Sequence, residues 1–381
     1  MEPRKPFLDW LRVGAFALLI SFHVGMLYVS WDYNLKSPRL APRIEWAMLT
    51  FSVWRMPLLF LISGVACRYL IGKLGAGGFA RDRLRRLTPV ILFGMFVVIP
   101  PQTWIELVSK GVTQAGYLQF WWSSYLRADQ TLVAPLGKTM PTWDHLWFLV
   151  YLLVYCLLFA LAFGLTRLGR RVLKTPRIPI AGLLIGPALW LAGSSLLIDA
   201  SLPLTHALVD DWGGHIKWIG MFATGALCAH QQPFWDWLRD HRWSLAAAAA
   251  GLLAIQSASQ GLAWSAVSGL YAWSAICTVC GFAHRHMNRG SALLSHLNEA
   301  VLPIYVLHQP ILLLCAYWVF PLRLPLPVEG LLLATITGLG ALAIYEAAIR
   351  PFALSRFLFG LKPKAVSGGA SQTAPRGVSP T

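Results

Sequence analysis

Residues 145–166 read His145-Leu-Trp-Phe-Leu-Val-Tyr-Leu-Leu-Val-Tyr-Cys-Leu-Leu-Phe-Ala-Leu-Ala-Phe-Gly-Leu-Thr166, and no Asp, Glu, Lys or Arg interrupts them. About 20 mostly apolar residues in a helix cross a hydrocarbon core of roughly 30 Å. A surface helix of a soluble protein needs a polar face, and this stretch has none. Its Trp147 and the neighbouring Trp143 suit the water–lipid interface. The segment reads as a transmembrane helix.

The rest of the chain follows the same pattern. Of 381 residues, 56% are hydrophobic and 13% charged, and the mean hydropathy is +0.57. So few charges cannot cover the surface of a water-soluble fold. Soluble-enzyme, disordered and disulfide-framework classes are excluded. The expected fold is all-α: a polytopic integral membrane helical bundle of about ten transmembrane helices. Their expected ranges are 8–31, 45–70, 87–105, 145–166, 178–198, 214–231, 243–260, 264–283, 298–320 and 328–349. Arg4 and Lys5 before the first run resemble a signal peptide, but no small-residue cleavage site follows, so an uncut span is expected. The Gly/Ser/Pro-rich residues 365–381 are expected to be a disordered cytoplasmic tail.

The 32 Lys and Arg against 16 Asp and Glu give a net charge of +16. In a soluble protein that balance would suggest nucleic acid as a partner. Here the positives alternate between loops. With the N-terminus inside, 22 fall on inner segments and 8 on outer ones. Since Lys and Arg resist translocation, both termini are expected to be cytoplasmic. No nucleic acid is needed to explain the charge, and the lipid bilayer is the implied partner.

Ionisable groups inside a bilayer are costly and mark cavities or partners. Asp9 and Arg12 are i, i+3 on the first helix and can pair. His23 lies eleven residues beyond Arg12, on nearly the same face and about 16 Å further along. The alternative is a juxtamembrane Arg and a His bonded within the bundle. Arg55 sits midway through the second span, too deep to snorkel, two residues before the helix-bending Pro57. His145 and Trp147 open the fourth span, lining a site or sitting among headgroups. Tyr305, His308 and Gln309 bring three polar tips to one face of the ninth span, as site residues or as a structural knot. His284, Arg285, His286 and His296 read as a solvated basic loop, since nothing completes a metal-ligand set. Six cysteines all fall in apolar stretches, and Cys277-x-x-Cys280 lacks a second pair. No resident metal is expected. By physics alone, a transporter or flippase for a glycan or lipid-linked substrate fits these features as well as an enzyme does.

The ordered set Asp9-x-x-Arg12 with His23, Arg55-Met-Pro-Leu-Leu-Phe-Leu-Ile-Ser-Gly64, the basic run Arg81–Arg86 before Pro89, His145-Leu-Trp-Phe-Leu149 and Pro303-Ile-Tyr-Val-Leu-His308 resembles the membrane-bound acyltransferase family 3. Phe51-Ser-Val-Trp-Arg55-Met-Pro and Tyr345-Glu-x-x-x-Arg350 are similar to a branch thought to succinylate periplasmic glucans. The resemblance implies a membrane acyltransferase domain over residues 1–364, in the bacterial inner membrane. It implies acyl-CoA, succinyl-CoA or acetyl-CoA, as co-substrate with no permanently bound cofactor. It implies a glycan acceptor and possible partners in glycan biosynthesis; oligomeric state is not legible. On this reading His23 is the base, Asp9 orients Arg12, and Arg12 with Arg83, Arg85 and Arg86 attracts the CoA phosphates. Arg55 stabilises an oxyanion, while His145, Trp147, Tyr305, His308 and Gln309 position the acceptor.

Overall fold

The computed structural model describes residues 5–165 and 178–363. Among them every regular element is helical. The expected 365–381 tail and the basic residues between Arg167 and Arg177 lie outside the described residues.

Helix α1 (Pro6–Met26) starts with Pro at a position that needs no amide donor. It ends five residues earlier than the hydropathy suggests, because Lys36 folds back over its last turn. The Lys36 ammonium donates to the carbonyls of Met26 and Trp31 at 2.7 Å each, and also to that of Val29. A cation on free C-terminal carbonyls satisfies them and complements the helix dipole. Ser37 and Ala41 amides then bond Leu27 and Tyr28 carbonyls, which sets the return loop into the bundle.

Helix α2 (Glu45–Phe93) is two arms joined at Gly75, where φ is +68° and ψ 173°. Only glycine adopts that backbone without strain. A π-helical turn over Gly94–Val98 leads into α3 (Pro100–Ser109). The polar segment that follows carries two single turns, α4 (Tyr117–Phe120) and α5 (Gln130–Val133), before α6 (Trp147–Leu165). Then come α7 (Ile180–Ala200), α8 (Trp212–Cys228), the short amphipathic α9 (Gln232–Asp240) and α10 (Arg242–Ala258). The chain closes with α11 (Gly261–His286), α12 (Ala292–Val319), α13 (Leu326–Ile344) and α14 (Ala353–Leu358).

Among the described residues, 7 helical stretches are long and apolar enough to cross a membrane; one of them, Pro42–Ser109, contains both arms of α2. Helices α8 and α10 have 17 residues each and fall just short. The bundle is apolar outside as well as inside. Leu161, Leu165, Leu189, Leu331 and Leu339 are all exposed, as befits contact with lipid rather than water.

Close packing against α2 depends on small residues. A β-carbon on Gly64 would stand 2.0 Å from the Phe222 carbonyl oxygen, and one on Gly225 would stand 2.0 Å from that of Leu61. Backbones can approach this closely only where the side chain is absent. Around this contact Phe60 stacks with Trp218 at 5.6 Å and meets Phe148 edge-on at 4.8 Å.

One expectation is corrected here. His284 is not part of a solvated loop: it is buried, bonded at Nδ1 to the Trp235 carbonyl at 3.0 Å and packed on Phe7. His296 lies 2.6 Å from Glu346. Helix α11 extends three residues past the expected end and brings His284 under α9. Arg285 and His286 are exposed as expected.

Candidate active site

A cavity of about 1000 Å³ opens among α1, α2, α6, α12 and the loops that join them. His23, Arg55, His145, Trp147, Tyr305 and Gln309 all line it, and His308 stands directly behind His23.

Two hydrogen bonds tie the turn before α6, Asp144–Leu146, to α12. The Tyr305 hydroxyl donates to the His145 carbonyl, and His145 Nε2–H donates to the Val306 carbonyl at 3.0 Å. Next along α12, His308 Nδ1 faces the carbonyl of Tyr305 at 2.5 Å, and its Nε2 faces His23 Nδ1 at 2.8 Å. A carbonyl can only accept, so Nδ1 of His308 carries the proton. In a neutral His308 the Nε2 is then a lone pair, and His23 Nδ1 is the donor. This leaves the Nε2 lone pair of His23 with no hydrogen-bond partner among the described residues. The Tyr33 ring lies nearly parallel to His23, centroids 6.0 Å apart and 10° between planes, while His23 and His308 meet edge to edge through their nitrogens.

Arg55 is 5% exposed, and its Nε and Nη1 are buried without a hydrogen-bond partner. Its guanidinium carbon lies 3.9 Å from the centroid of the Phe22 ring. Cation–π contact offsets part of the desolvation cost, yet leaves the N–H donors unused. A buried cation in that condition is set up for an anion or a developing negative charge.

The cavity rim includes polar residues that the sequence did not mark as site residues. Thr142 or Asp144 reads as a helix cap in the sequence. In the structure the Asp144 carboxylate accepts from Gln309 Nε2 at 2.9 Å and from Asn34 Nδ2 at 3.0 Å. Asn34 also donates to buried Glu106 at 2.8 Å, and Glu106 takes Lys110 at 2.7 Å and Lys138 at 2.6 Å. Asn34 and Tyr33 belong to the loop that Lys36 folds, and no residue spacing announces them. The i, i+4 pair Glu106 and Lys110 was the available signal. A second loop, 201–211, hangs on Asp211, which is fully buried. Its carboxylate accepts from the Tyr151 hydroxyl at 2.7 Å and from the amides of Thr205, His206 and Gly214 at 3.2 Å. This holds His206 in a left-handed backbone, φ +56°, with its ring tilted by 36° against Trp147 and the centroids 4.2 Å apart. Burial pushes the His206 imidazole pKa below its usual value, against the pull of Asp211.

Asp9, Arg12, Arg83, Arg85 and Arg86 do not line this cavity. Arg12 lies 3.5 Å from Asp9 and donates to Asn298 Oδ1 at 3.1 Å. Arg83 and Arg12 both act electrostatically on Arg86, which donates to the Gly360 carbonyl at 3.1 Å, and Arg85 is exposed. The expected residues therefore divide into a histidine–arginine cavity and a separate arginine cluster three helical turns away along α1.

A cavity that pairs an unprotonated imidazole nitrogen with an unsatisfied guanidinium can take up a proton and hold a negative charge inside an apolar bundle. An acyltransferase-domain family model matches residues 5–346, and the chain belongs to the acyltransferase family 3. It is a multi-pass membrane acyltransferase. Proteins named glucans biosynthesis protein C are similar over nearly the whole chain. Those of Salmonella schwarzengrund and Salmonella paratyphi A are each 25% identical, covering 95% of this chain and 96% of theirs. That of Salmonella enteritidis is 24% identical with the same coverage. No solved structure matches.

Proposed function

We propose that this enzyme moves an acyl group, succinyl or acetyl, from acyl-CoA at the cytosolic face to a hydroxyl of a glucan or related glycan on the periplasmic side of the bacterial inner membrane. The observation that carries the reading is the free Nε2 of His23 in one cavity with the unpartnered Arg55. The names of the relatives support a glucan as acceptor.

The chemistry follows from the tautomers. His23 Nε2 takes the proton of the acceptor hydroxyl as its oxygen attacks the thioester carbonyl carbon. The carbonyl π pair moves onto oxygen, where Arg55 donates to the developing charge. When the intermediate collapses, the C–S bond breaks and His23 returns its proton to the CoA sulfur. His308, fixed by the Tyr305 carbonyl, holds His23 in the tautomer that leaves Nε2 bare and accepts its Nδ1–H throughout.

The arginine cluster is the reading's donor end. Arg12, oriented by Asp9 and Asn298, with Arg83, Arg85 and Arg86, attracts the CoA phosphates. The rise of about 16 Å from Arg12 to His23 suits a pantetheine arm that brings the thioester to the cavity. Ten passes fit this topology: α2 supplies two arms, and α8 and α10 complete the set. Both termini are then cytoplasmic.

The test uses purified protein in nanodiscs with succinyl-CoA or acetyl-CoA and a glucose oligosaccharide. Thiol release and mass spectrometry of the sugar are followed together. Ester on the sugar, lost in His23→Ala at normal protein level, supports the reading. Unchanged ester formation in that variant overturns it.

A further inference from the structure

Four polar groups at the cavity wall lack the partners that burial demands. The Tyr33 hydroxyl, His145 Nδ1, and Arg55 Nε and Nη1 are all buried and unpartnered. Beside them stands Asp144, whose carboxylate receives only two neutral amides, although it can accept about four hydrogen bonds. No cation among the described residues reaches ion-pair distance of it. Lys138, on the same wall, gives its charge to Glu106 instead. Asp144 also holds a positive φ, +36°, unusual for a residue other than glycine and of the kind that gathers at functional sites.

The placement is specific. Helix α12 presents His308 to His23 and, at the next residue, Gln309 to Asp144. Tyr33 stacks on His23 and lies within electrostatic reach of Asp144. An acceptor bound by Asp144 and Tyr33 therefore lies beside the His23 base. The same cavity carries the positive charge of Arg55, which disfavours a cationic ligand. A neutral ligand with several hydroxyls satisfies both walls.

We propose that Asp144 is the acceptor-positioning, specificity-determining residue: its free lone pairs accept from sugar hydroxyls next to the one being acylated, with the Tyr33 hydroxyl as second contact. The class of ligand is a pyranose, and the inference rests on the glycan-acceptor reading above. Removing one hydrogen bond to a charged group from a site built for it lowers acceptor use by roughly tenfold to a hundredfold.

The experiment measures acyl transfer to methyl glucopyranoside and its monodeoxy derivatives with wild-type protein, Asp144→Asn and Tyr33→Phe. Wild type is expected to lose about tenfold or more in kcat/KM on at least one deoxy sugar. Asp144→Asn should accept the parent sugar about tenfold less well and discriminate that deoxy sugar less than twofold. Its KM for acyl-CoA should move far less than its KM for sugar. Asp144→Asn discriminating like wild type overturns the inference. Tyr33→Phe, which leaves the amide network intact, decides the matter if Asp144→Asn does not fold: equal discrimination by Tyr33→Phe and wild type also overturns it. If wild type transfers to none of these sugars nor to a glucose oligosaccharide, the glycan reading itself fails.

Discussion

His23 and His308 are joined nitrogen to nitrogen at 2.8 Å, and the Tyr305 carbonyl at the far side of His308 decides which way that bond points. The direction matters because a histidine can act as a base only from the nitrogen that carries no proton.

His23→Ala should therefore lower kcat by about 10² to 10⁴, the usual contribution of a positioned base. His308→Ala should fall less, because His23 remains but no longer has its tautomer fixed. His308→Gln, whose amide oxygen can still accept from Nδ1, should recover part of the loss. Single-turnover transfer from radiolabelled acyl-CoA checks the order of the three variants. Equal activity of His308→Ala and wild type would sink the tautomer argument.

Arg55→Met separates catalysis from stability. Transfer should drop by about 10² to 10³, as when one donor of an oxyanion site is lost. The thermal midpoint in detergent should stay level or rise, because a buried guanidinium without an anion costs desolvation that Met does not. A large fall in midpoint would mean that Arg55 holds the bundle together.

Glu106 is 2% exposed and carries two lysines and Asn34. Glu106→Gln should destabilise the folded protein by about 1–2 kcal/mol, since it loses charge-assisted hydrogen bonds while the two lysines, each about a third exposed, stay solvated. Lys110→Ala, on the more exposed side of the same network, should cost no more than about 1 kcal/mol. Chemical unfolding in detergent, followed by tryptophan fluorescence, compares them.

Arg12→Ala should raise the KM for acyl-CoA with little effect on the KM for sugar, and that of wild type should rise with ionic strength. Attraction of phosphates by arginine is screened over a Debye length of about 8 Å at physiological salt. A KM for acyl-CoA indifferent to both changes would remove the arginine cluster from donor binding.

Gly225→Val tests the packing of α2 on α8. The first added carbon already overlaps the Leu61 carbonyl. Overpacking commonly costs about 1–3 kcal/mol, and a backbone carbonyl cannot rotate away as a side chain would. The midpoint should fall, while Gly251→Ala, in a helix interior with open space around it, should leave it level or raise it.

The sequence by itself determined that this chain is a helical membrane bundle and where most of its helices run, because the cost of burying charge in lipid is local and shows in any window of about 20 residues. It also marked His23, Arg55, His145, Tyr305, His308 and Gln309, since an ionisable or strongly polar group in an apolar span stands out against its neighbours. Only the tertiary structure decided that five of these line one cavity with His308 behind His23, whereas the separation of Arg12 from His23 by about three helical turns was already legible in the spacing. Contacts such as His23 to His308 join residues 285 positions apart, and periodicity within one helix carries no information about its partner. The rim was hidden for a related reason. Asn34, Tyr33 and His206 lie in loops shaped by Lys36 and Asp211, polar groups that look ordinary in the sequence. The fold gives them meaning by burying Asp211 among loop amides and setting Lys36 on the free carbonyls of a helix end.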